Sequence, residues 1–179
     1  MAGDLRGFGE ARKRRRRAVA RFHLGQGSSL RLGRKRGEQN QAIGRSRGGR
    51  TTKIHGLSDP LCRPVVLHLT PGQDADIAAA PDVLALAPLM SKLLADKGYD
   101  GDRLRAEIVE RGATPVIPNK SNRVVIHPFS KRAYKGRNVI ERCFCRLKDF
   151  RRIATRYDKL ARNFLASVHL AATVAYWIN

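Results

Sequence analysis

The chain has 179 residues, and its 36 lysines and arginines against 15 aspartates and glutamates give a formal net charge of +21. The length suits one domain with a substantial core rather than two large domains. So strong a positive charge excludes an ordinary metabolic enzyme with a small anionic substrate. It favours a nucleic-acid partner, because each cation placed on a phosphate releases a counterion. The sequence contains no run of eighteen apolar residues, so no membrane span is expected.

The positive charge is concentrated at the start of the chain. Residues 1–53 hold 16 basic and 3 acidic residues, including an uninterrupted basic run at 12–17. Like charges at this density repel one another, and apolar residues are too sparse to offset the entropy of ordering. We therefore expect residues 1–50 to be a basic, mostly disordered segment, in which the apolar residues between 18 and 24 are able to add one strand. The basic run is interpreted as a solvated tail that binds nucleic acid without specificity, with a dedicated DNA-reading element as the alternative.

The first elements predicted beyond this segment are a β-hairpin and a helix. Short β-type runs at 52–57 and 64–69 are separated by the turn sequence Ser-Asp-Pro, which predicts the hairpin. A helix is predicted over 77–87, with Asp74 or Asp76 as its N-cap.

The remaining predicted elements alternate between strands and helices. In chain order they are a buried strand at 90–95, a loop at 97–102, a helix at 103–111 closed by Gly112, a strand at 114–117, a basic loop at 118–133, and helices at 134–150 and 160–178. An order of strands, then strand–helix units, then helices predicts an α/β sheet covered by helices.

A stripe of polar, reactive side chains is predicted along the helix around Glu141. At 100° per residue, three other polar side chains lie within about 40° of Glu141. The stripe consists of Tyr134, Arg137, Glu141 and Lys148. An apolar stripe fit for burial lies beside it and consists of Ile140, Phe144 and Leu147. A carboxylate among cations at the edge of a core is placed to bind a metal. The alternative is a surface ion pair between Arg137 and Glu141, which stabilises a helix by only a few tenths of a kcal/mol.

Asp96 is the second candidate functional residue. It ends the apolar run at 90–95, and a carboxylate at the carboxyl end of a sheet strand faces the crevice where α/β folds bind ligands. The alternative is a helix or loop cap. Asp100 and Asp102 compete for the same role, but both look like N-caps for the following helix.

The three cysteines predict neither a disulfide framework nor a metal site. Three is an odd number in a chain without a secretory signal, so Cys62, Cys143 and Cys145 are interpreted as reduced thiols. Cys143 and Cys145 are two positions apart on a helix and point about 200° apart, so they cannot chelate one metal together.

Four stretches of the chain carry recognisable motifs. They are residues 42–55 (AIGRSRGGRTTKIH), 70–73 (TPGQ), 94–100 (LADKGYD) and 134–148. With these motifs the sequence resembles the DDE transposases of bacterial insertion sequences, in the group around insertion sequence five. Tyr134, Arg137, Glu141 and Lys148 match that family's Tyr-two-Arg-three-Glu-six-Lys spacing at every position. The resemblance covers about residues 38–179, the back half of a full transposase.

The resemblance implies a ribonuclease-H-like mixed sheet with flanking helices, formed by residues 51–179 as the C-terminal part of a catalytic domain. In that family two Asp and one Glu bind two divalent metals, usually Mg²⁺ but also Mn²⁺, for in-line phosphoryl displacement at transposon ends. Carried over to this chain, Asp96 and Glu141 are the second and third acids, both catalytic residues and metal ligands. The remaining residues of the stripe (Tyr134, Arg137 and Lys148) would bind the DNA.

The resemblance also implies a setting for the protein. The expected partner is DNA at transposon ends, with no membrane, and with a second copy of the chain or the product of an upstream reading frame as a further partner. The expected location is the bacterial cytoplasm, in association with the nucleoid.

The family's first catalytic Asp has no counterpart in this sequence. It is expected on a strand before residue 44, yet no Asp occurs between Leu5 and Ser58. The sheet is therefore expected to be incomplete at its N-terminal strand, and the chain alone is expected to be inactive. One hypothesis is that residues 1–50 are read in a shifted frame, or that the element divides its transposase between two reading frames.

Two other functions compete with a working transposase. The first is a catalytically dead remnant that binds DNA and acts as an inhibitor, or is the product of a pseudogene. The second is a basic structural nucleic-acid protein in which Asp96 and Glu141 are incidental.

Overall fold

The computed structural model describes residues 21–27, 41–46 and 49–178 as a mixed α/β fold. The strands are β1 (Arg21–Gly27), β2 (Gly44–Ser46), β3 (Gly49–Ser58), β4 (Pro64–Pro71), β5 (Lys92–Leu94) and β6 (Thr114–Val116). The α-helices are α1 (Ala80–Ala85), α2 (Asp102–Glu110), α3 (Lys131–Tyr134), α4 (Asn138–Lys148), α5 (Arg151–Ala154) and α6 (Ala161–Thr173). Short 3₁₀ turns cover Asp76–Ala79, Lys97–Tyr99 and Lys135–Arg137, and a π-helical turn covers Val174–Ile178. The predicted disorder of residues 1–50 stays a prediction, because outside β1 and residues 41–46, 49 and 50 that segment lies beyond the described residues.

The strands form one mixed sheet in the order β4-β3-β1-β5-β6, with β2 paired to the start of β3. β3 runs antiparallel to β1, β2 and β4, whereas β1, β5 and β6 run parallel to one another. The predicted hairpin is confirmed as β3 and β4, and the predicted strands at 90–95 and 114–117 are confirmed as β5 and β6. β6 ends the sheet and contains Pro115.

The expectation of a sheet that lacks its N-terminal strand is wrong, because β1 lies in the centre. Leu24 pairs with Leu57 of β3, and Phe22 pairs with Leu93 of β5. Two strands that flank a gap need a partner for their backbone N–H and C=O groups, and any residue except proline can supply it. The sequence of β1 is RFHLGQG, so this central strand carries no carboxylate.

Helices cover both faces of the sheet, and a core lies under each layer. One core contains Leu24, Leu57, Val66 and Leu93 of the sheet with Leu84 of α1 and Ile108 of α2. The other contains Ile54 and Leu67 of the sheet with Ile140 and Phe144 of α4 and Phe164 of α6. Because successive residues of a strand point to opposite faces, Val66 and Leu67 belong to different cores.

The predicted helix caps are not formed as expected. Asp74 and Asp76 do not cap α1, which follows the 3₁₀ turn Asp76–Ala79 and has no side-chain cap. Gly101 is the N-cap of α2, so the expectation that Asp100 or Asp102 caps this helix is also wrong.

The predicted helix ends and lengths have mixed outcomes. Gly112, with a φ of 76°, does end α2 as predicted. The long helix expected over 134–150 is divided, because the 3₁₀ turn Lys135–Arg137 separates α3 from α4. None of the helices in the described ranges is both long and apolar enough to cross a membrane.

Arg156 fastens residues 41–42 to the segment between α5 and α6. Its side chain is buried, and its guanidinium donates to the carbonyl oxygens of Gln41 at 3.0 Å, Asp158 at 2.9 Å and Lys159 at 3.2 Å. It also donates to the hydroxyl of Thr52 in β3. Burial lowers the pKa of Arg156. These acceptors surround the charge and tie the turn before β2 to the helical end of the chain.

Candidate active site

Two glycines set the position of helix α4 on the sheet. Gly25 of β1 and Gly56 of β3 lie directly opposite each other in the antiparallel ladder. A Cβ atom on Gly25 would lie 2.9 Å from Cγ1 of Ile140, and one on Gly56 would lie 2.9 Å from Cζ of Phe144. Real Cβ atoms do not approach other carbons so closely, so the helix lies against bare backbone. This close approach fixes the height of α4 above the sheet.

Glu141 lies on α4, at the exposed edge of the face that packs on the sheet. Its side chain is 55% exposed, and Oε1 lies 2.6 Å from Nη2 of Arg137. The Arg137 guanidinium lies 5.6 Å from the centre of the Tyr134 ring. The surface ion pair that the sequence offered as an alternative is therefore present. Because the pair is this exposed, a phosphate or a metal ion can displace it at little cost.

Lys148 is the last residue of α4 and is exposed. It lies two helical turns beyond Glu141, roughly 10 Å along the axis. The predicted stripe thus has three members gathered near the start of α4 and one at its far end.

Asp96 lies where β5 ends, beside the parallel strands β1 and β6. Its Oδ1 accepts a hydrogen bond of 2.7 Å from the Gly98 N–H, which caps the turn Lys97–Tyr99. Asp96 is half-buried, whereas Leu94 and Ala95 before it are fully buried. The loop-cap alternative is therefore also present. A cap that uses one carboxylate oxygen does not prevent the side chain from binding a ligand.

The Tyr134 hydroxyl is a common neighbour of both candidate acids. Burial raises the pKa of Tyr134, the Arg137 charge lowers it, and the charges of Asp96 and Glu141 both raise it further. The ring packs edge-on against Phe129, with 5.8 Å between the ring centres. The charges of Asp96 after β5 and Glu141 on α4 thus both reach this phenol. Of the five predicted site residues, Tyr134, Arg137 and Glu141 lie in direct contact with one another through Arg137.

Asp76 and Lys53 are neighbours of the site that the sequence did not indicate as functional. Lys53 Nζ lies 2.7 Å from Asp76 Oδ1 and donates to the Asp74 carbonyl, also at 2.7 Å. A Cβ atom on Gly98 would lie 2.9 Å from Asp96 Oδ1 and 3.5 Å from Asp76 Oδ2. The two carboxylates thus approach the same glycine, and Lys53 balances the charge of Asp76. The available signal was the position of Asp76 three residues after the TPGQ motif.

Asp100 is buried and fastens the loop after β6 to the turn that follows Asp96. Its Oδ1 accepts from Arg105 Nε at 3.0 Å and from Arg123 Nη1 at 2.9 Å, and its Oδ2 accepts from the Lys120 N–H at 2.8 Å. Burial alone would raise the pKa of Asp100, but these hydrogen bonds and the two guanidinium charges outweigh it and lower the pKa. The role of Asp100 is to hold the backbone around the site.

His55 and Tyr99 form a buried polar contact in the core beside Asp96. His55 Nδ1 lies 3.3 Å from the Tyr99 hydroxyl, and Nε2 lies 2.7 Å from Oγ1 of Thr70. Burial lowers the pKa of His55 to about 4 and raises the pKa of Tyr99. Both groups are therefore neutral near pH 7 and support the fold beside the site.

Asp96 and Glu141 are the two carboxylates that the sequence named as candidate ligands of a divalent cation. Within the described ranges, no group of three or more Asp, Glu, His or Cys side chains is placed to hold a metal ion. Mg²⁺ typically binds through one or two carboxylates and completes its shell with water and substrate phosphate. Asp96 and Glu141 match that donor set.

Comparisons with known proteins agree on one family. Residues 26–177 match a family described as the transposase DDE domain. A protein of Brucella ovis that is named as a transposase for insertion sequence element IS6501 is 35% identical over 127 residues. That similarity covers 70% of this chain and 98% of the Brucella protein. The family match begins within β1 and includes all four motif stretches.

Proposed function

Because the chain belongs to the family of transposase DDE domains, we propose that it forms the C-terminal, catalytic part of a transposase that cleaves and joins DNA at the ends of an insertion sequence. The observation that carries the proposal is the placement of two carboxylates from the motifs: Asp96 lies just after the buried strand β5, and Glu141 lies on α4, the helix that packs on the neighbouring strand β1. A ribonuclease-H-like arrangement of the domain is supported by the mixed sheet with helices on both faces.

Asp96 and Glu141 are the residues that would hold a divalent cation, Mg²⁺ or Mn²⁺. When bound, such an ion supplies charge neutralisation at the scissile phosphate and activates the attacking water or 3′-hydroxyl. Asp96 keeps one oxygen on the Gly98 N–H, which fixes the direction of its carboxylate. Glu141 is freed for this role when its exposed pair with Arg137 opens.

Three side chains of the stripe would bind the DNA. Once released from Glu141, Arg137 can donate two parallel hydrogen bonds to one phosphate. Tyr134 keeps its proton near pH 7, because its pKa is raised, and its hydroxyl can donate a hydrogen bond to a phosphate oxygen. Lys148, two turns along α4, would reach a phosphate farther along the strand.

The lack of a carboxylate on β1 leads us to propose that this chain alone does not transpose DNA. The central strand, where the resemblance implies the first Asp, reads RFHLGQG. A second candidate function follows from the same observation: a catalytically dead, DNA-binding remnant that inhibits an intact transposase or is the product of a pseudogene. A shifted reading frame before the matched region accounts for both proposals, and sequencing the DNA upstream would reveal any frame that encodes an Asp-bearing strand.

Titration with Mn²⁺ tests the proposed site. We expect binding that weakens about tenfold or more in Asp96→Asn and in Glu141→Gln, because each variant removes one of two anionic ligands. The matched control is Asp149→Asn, which changes an exposed carboxylate just beyond α4. Binding measured by electron paramagnetic resonance that is equal in all four proteins would disprove the metal site.

Incubation of the purified chain with Mg²⁺ and DNA that carries the element's ends tests its activity alone. We expect no strand transfer. If strand transfer occurs and Asp96→Asn abolishes it, two acids suffice for catalysis and the proposed inactivity is wrong.

A further inference from the structure

The loop between β6 and α3 holds three apolar side chains in solvent. Val124 is 94% exposed, and Val125 and Ile126 are each 65% exposed. We call these three residues the apolar tip. Burial of such side chains is favourable by about 1.5–3 kcal/mol each, so three consecutive exposed ones are a candidate interaction surface.

The loop that carries the apolar tip is rigidly held. Asn119 and His127 exchange two hydrogen bonds across its base, Nδ2 to the His127 carbonyl at 2.8 Å and the His127 N–H to Oδ1 at 3.0 Å. Arg123 donates from Nε to the Val125 carbonyl at 2.6 Å, and from Nη1 to the buried Asp100 at 2.9 Å. The tip is therefore presented to solvent in a fixed conformation, which reduces the entropy lost on binding.

The surroundings of the tip select an anionic partner. Residues 118–137 contain six lysines and arginines and no aspartate or glutamate. Two carboxylates from outside this range contact the loop, and both are paired: Asp100 with Arg123, and Asp102 with Arg123 and His127. The exposed cations among them are Lys120, Lys131, Arg132 and Lys135. A partner protein with an apolar pocket would need no such surplus of charge, whereas a phosphate backbone does.

Both ends of the loop lie at the candidate active site. Its start is tied to Asp100, four residues after Asp96, by the hydrogen bond from the Lys120 N–H. Its end leads through Phe129, which packs against Tyr134. DNA bound at the acids would therefore lie beside the base of the loop that carries the tip.

We infer that the apolar tip inserts between base pairs of duplex DNA while the flanking cations hold the backbone. Apolar wedges of this kind unstack a base step and bend the duplex. The inference rests on the proposed function, since it takes DNA to be the substrate. It adds a DNA-distorting element that needs neither the metal nor the catalytic acids.

The test compares a fully paired duplex of mixed sequence with the same duplex carrying one mismatch. A mismatch lowers the cost of unstacking, so a wedge should prefer it. We expect the full chain to bind the mismatched duplex about tenfold more tightly by fluorescence anisotropy, and to brighten a 2-aminopurine placed at the mismatch. The triple variant Val124→Ser, Val125→Ser and Ile126→Ser should lose both effects, while its affinity for the paired duplex keeps the same salt dependence, because the cations are unchanged.

Two variants complete the design. Leu86→Ser with Leu89→Ser, which alters side chains 69% and 78% exposed elsewhere on the molecule, should retain the mismatch preference. If the triple variant does not fold, Val124→Ser alone replaces it in the test. This variant changes the most exposed residue of the tip and should reduce the preference for the mismatched duplex.

The outcomes separate this inference from the proposed function. A parent chain without mismatch preference, or a triple variant that retains it, overturns the wedge alone. A triple variant that changes only self-association, measured by sedimentation, also overturns the wedge and indicates a contact between copies of the chain. A parent chain that binds neither duplex overturns the wedge together with the proposed function. Loss of the mismatch preference in the triple variant supports the wedge whether or not the Mn²⁺ titration supports the metal site.

Discussion

At the scale of single residues, His55 shows what burial does to a titratable group. Its imidazole is fully buried and bonded to Thr70 and Tyr99. Burial is the main cause of its lowered pKa, the Asp76 charge opposes the shift, and the charges of His68 and Lys53 add to it. The folded protein thus resists protonation of a group that the unfolded chain protonates easily.

This difference predicts a loss of stability in mild acid. The pKa of His55 is 6.5 in an unperturbed setting and about 4 in the folded chain. The unfolded state therefore takes up a proton first as the pH falls, so the free energy of unfolding should decrease between pH 6.5 and pH 4, by on the order of 3 kcal/mol. Urea unfolding across this range measures the decrease.

Two variants show whether His55 is the cause. His55→Gln should flatten the dependence between pH 6.5 and pH 4, whereas His169→Gln, which alters an exposed imidazole, should leave it unchanged. An equal slope in both variants would assign the effect to other groups.

At the scale of elements, the contact between α4 and the glycines of β1 and β3 controls where Glu141 lies. Gly56→Ala would place a methyl group 2.9 Å from Cζ of Phe144, so the helix must shift or the ring must move. We expect a loss of about 1–3 kcal/mol in the free energy of unfolding and weaker Mn²⁺ binding, because Glu141 moves with α4.

A second substitution tests this account through rescue. Phe144→Leu shortens the side chain that the new methyl group meets, so the double variant with Gly56→Ala should be more stable than the sum of the two single effects predicts. Additive losses measured by urea unfolding would show that the two positions do not interact.

Local sequence patterns predicted most of the helices and strands. The features that they did not predict depend on pairing between residues distant in the chain. The hairpin of β3 and β4 was predictable because two apolar runs and a Ser-Asp-Pro turn lie within one short segment. The central position of β1 was not, since it depends on partners that lie about thirty to seventy residues away along the chain. The predictions of helix N-caps were wrong for a related reason, because the carboxylates pair with residues distant in the chain or on another turn. Asp76 pairs with Lys53 of β3, and Asp100 pairs with Arg105 and Arg123.

The candidate site was predictable to the same extent. Asp96 and Glu141 could be singled out because the end of an apolar strand and a helical spacing are local signals, and their catalytic role stays a prediction. Lys53 and Asp76 could not, since their contact joins a strand to a turn after the following strand. In the sequence Arg156 was one cation among many, and only the structure shows that its charge is enclosed by carbonyl oxygens.

At the scale of the whole molecule, many carboxylates form ion pairs within the chain, whereas the lysines and arginines far outnumber the carboxylates available to pair with them. Six carboxylates of the described residues lie in ion pairs with a lysine or an arginine: Asp59, Asp76, Asp100, Asp102, Glu107 and Glu141. The excess of positive charge is therefore left for partners outside the fold, and it extends over both the apolar tip and the exposed end of α4. A basic surface on which many of the acids are paired within the chain suits binding to a polyanion of any sequence.

The proline in β6 protects the sheet from recruiting further chains. The Thr114 N–H bonds to the Ser91 carbonyl and the Val116 carbonyl accepts from Ala95, so the intervening Pro115 directs its nitrogen away from β5. A strand that approached this rim would find a missing donor there. Pro115→Thr restores the donor and should shorten the lag before thioflavin-positive fibrils form at high concentration, and an unchanged lag would show that another feature guards the rim. Chains that crowd together on a polyanion would therefore meet an interrupted row of N–H donors at this rim.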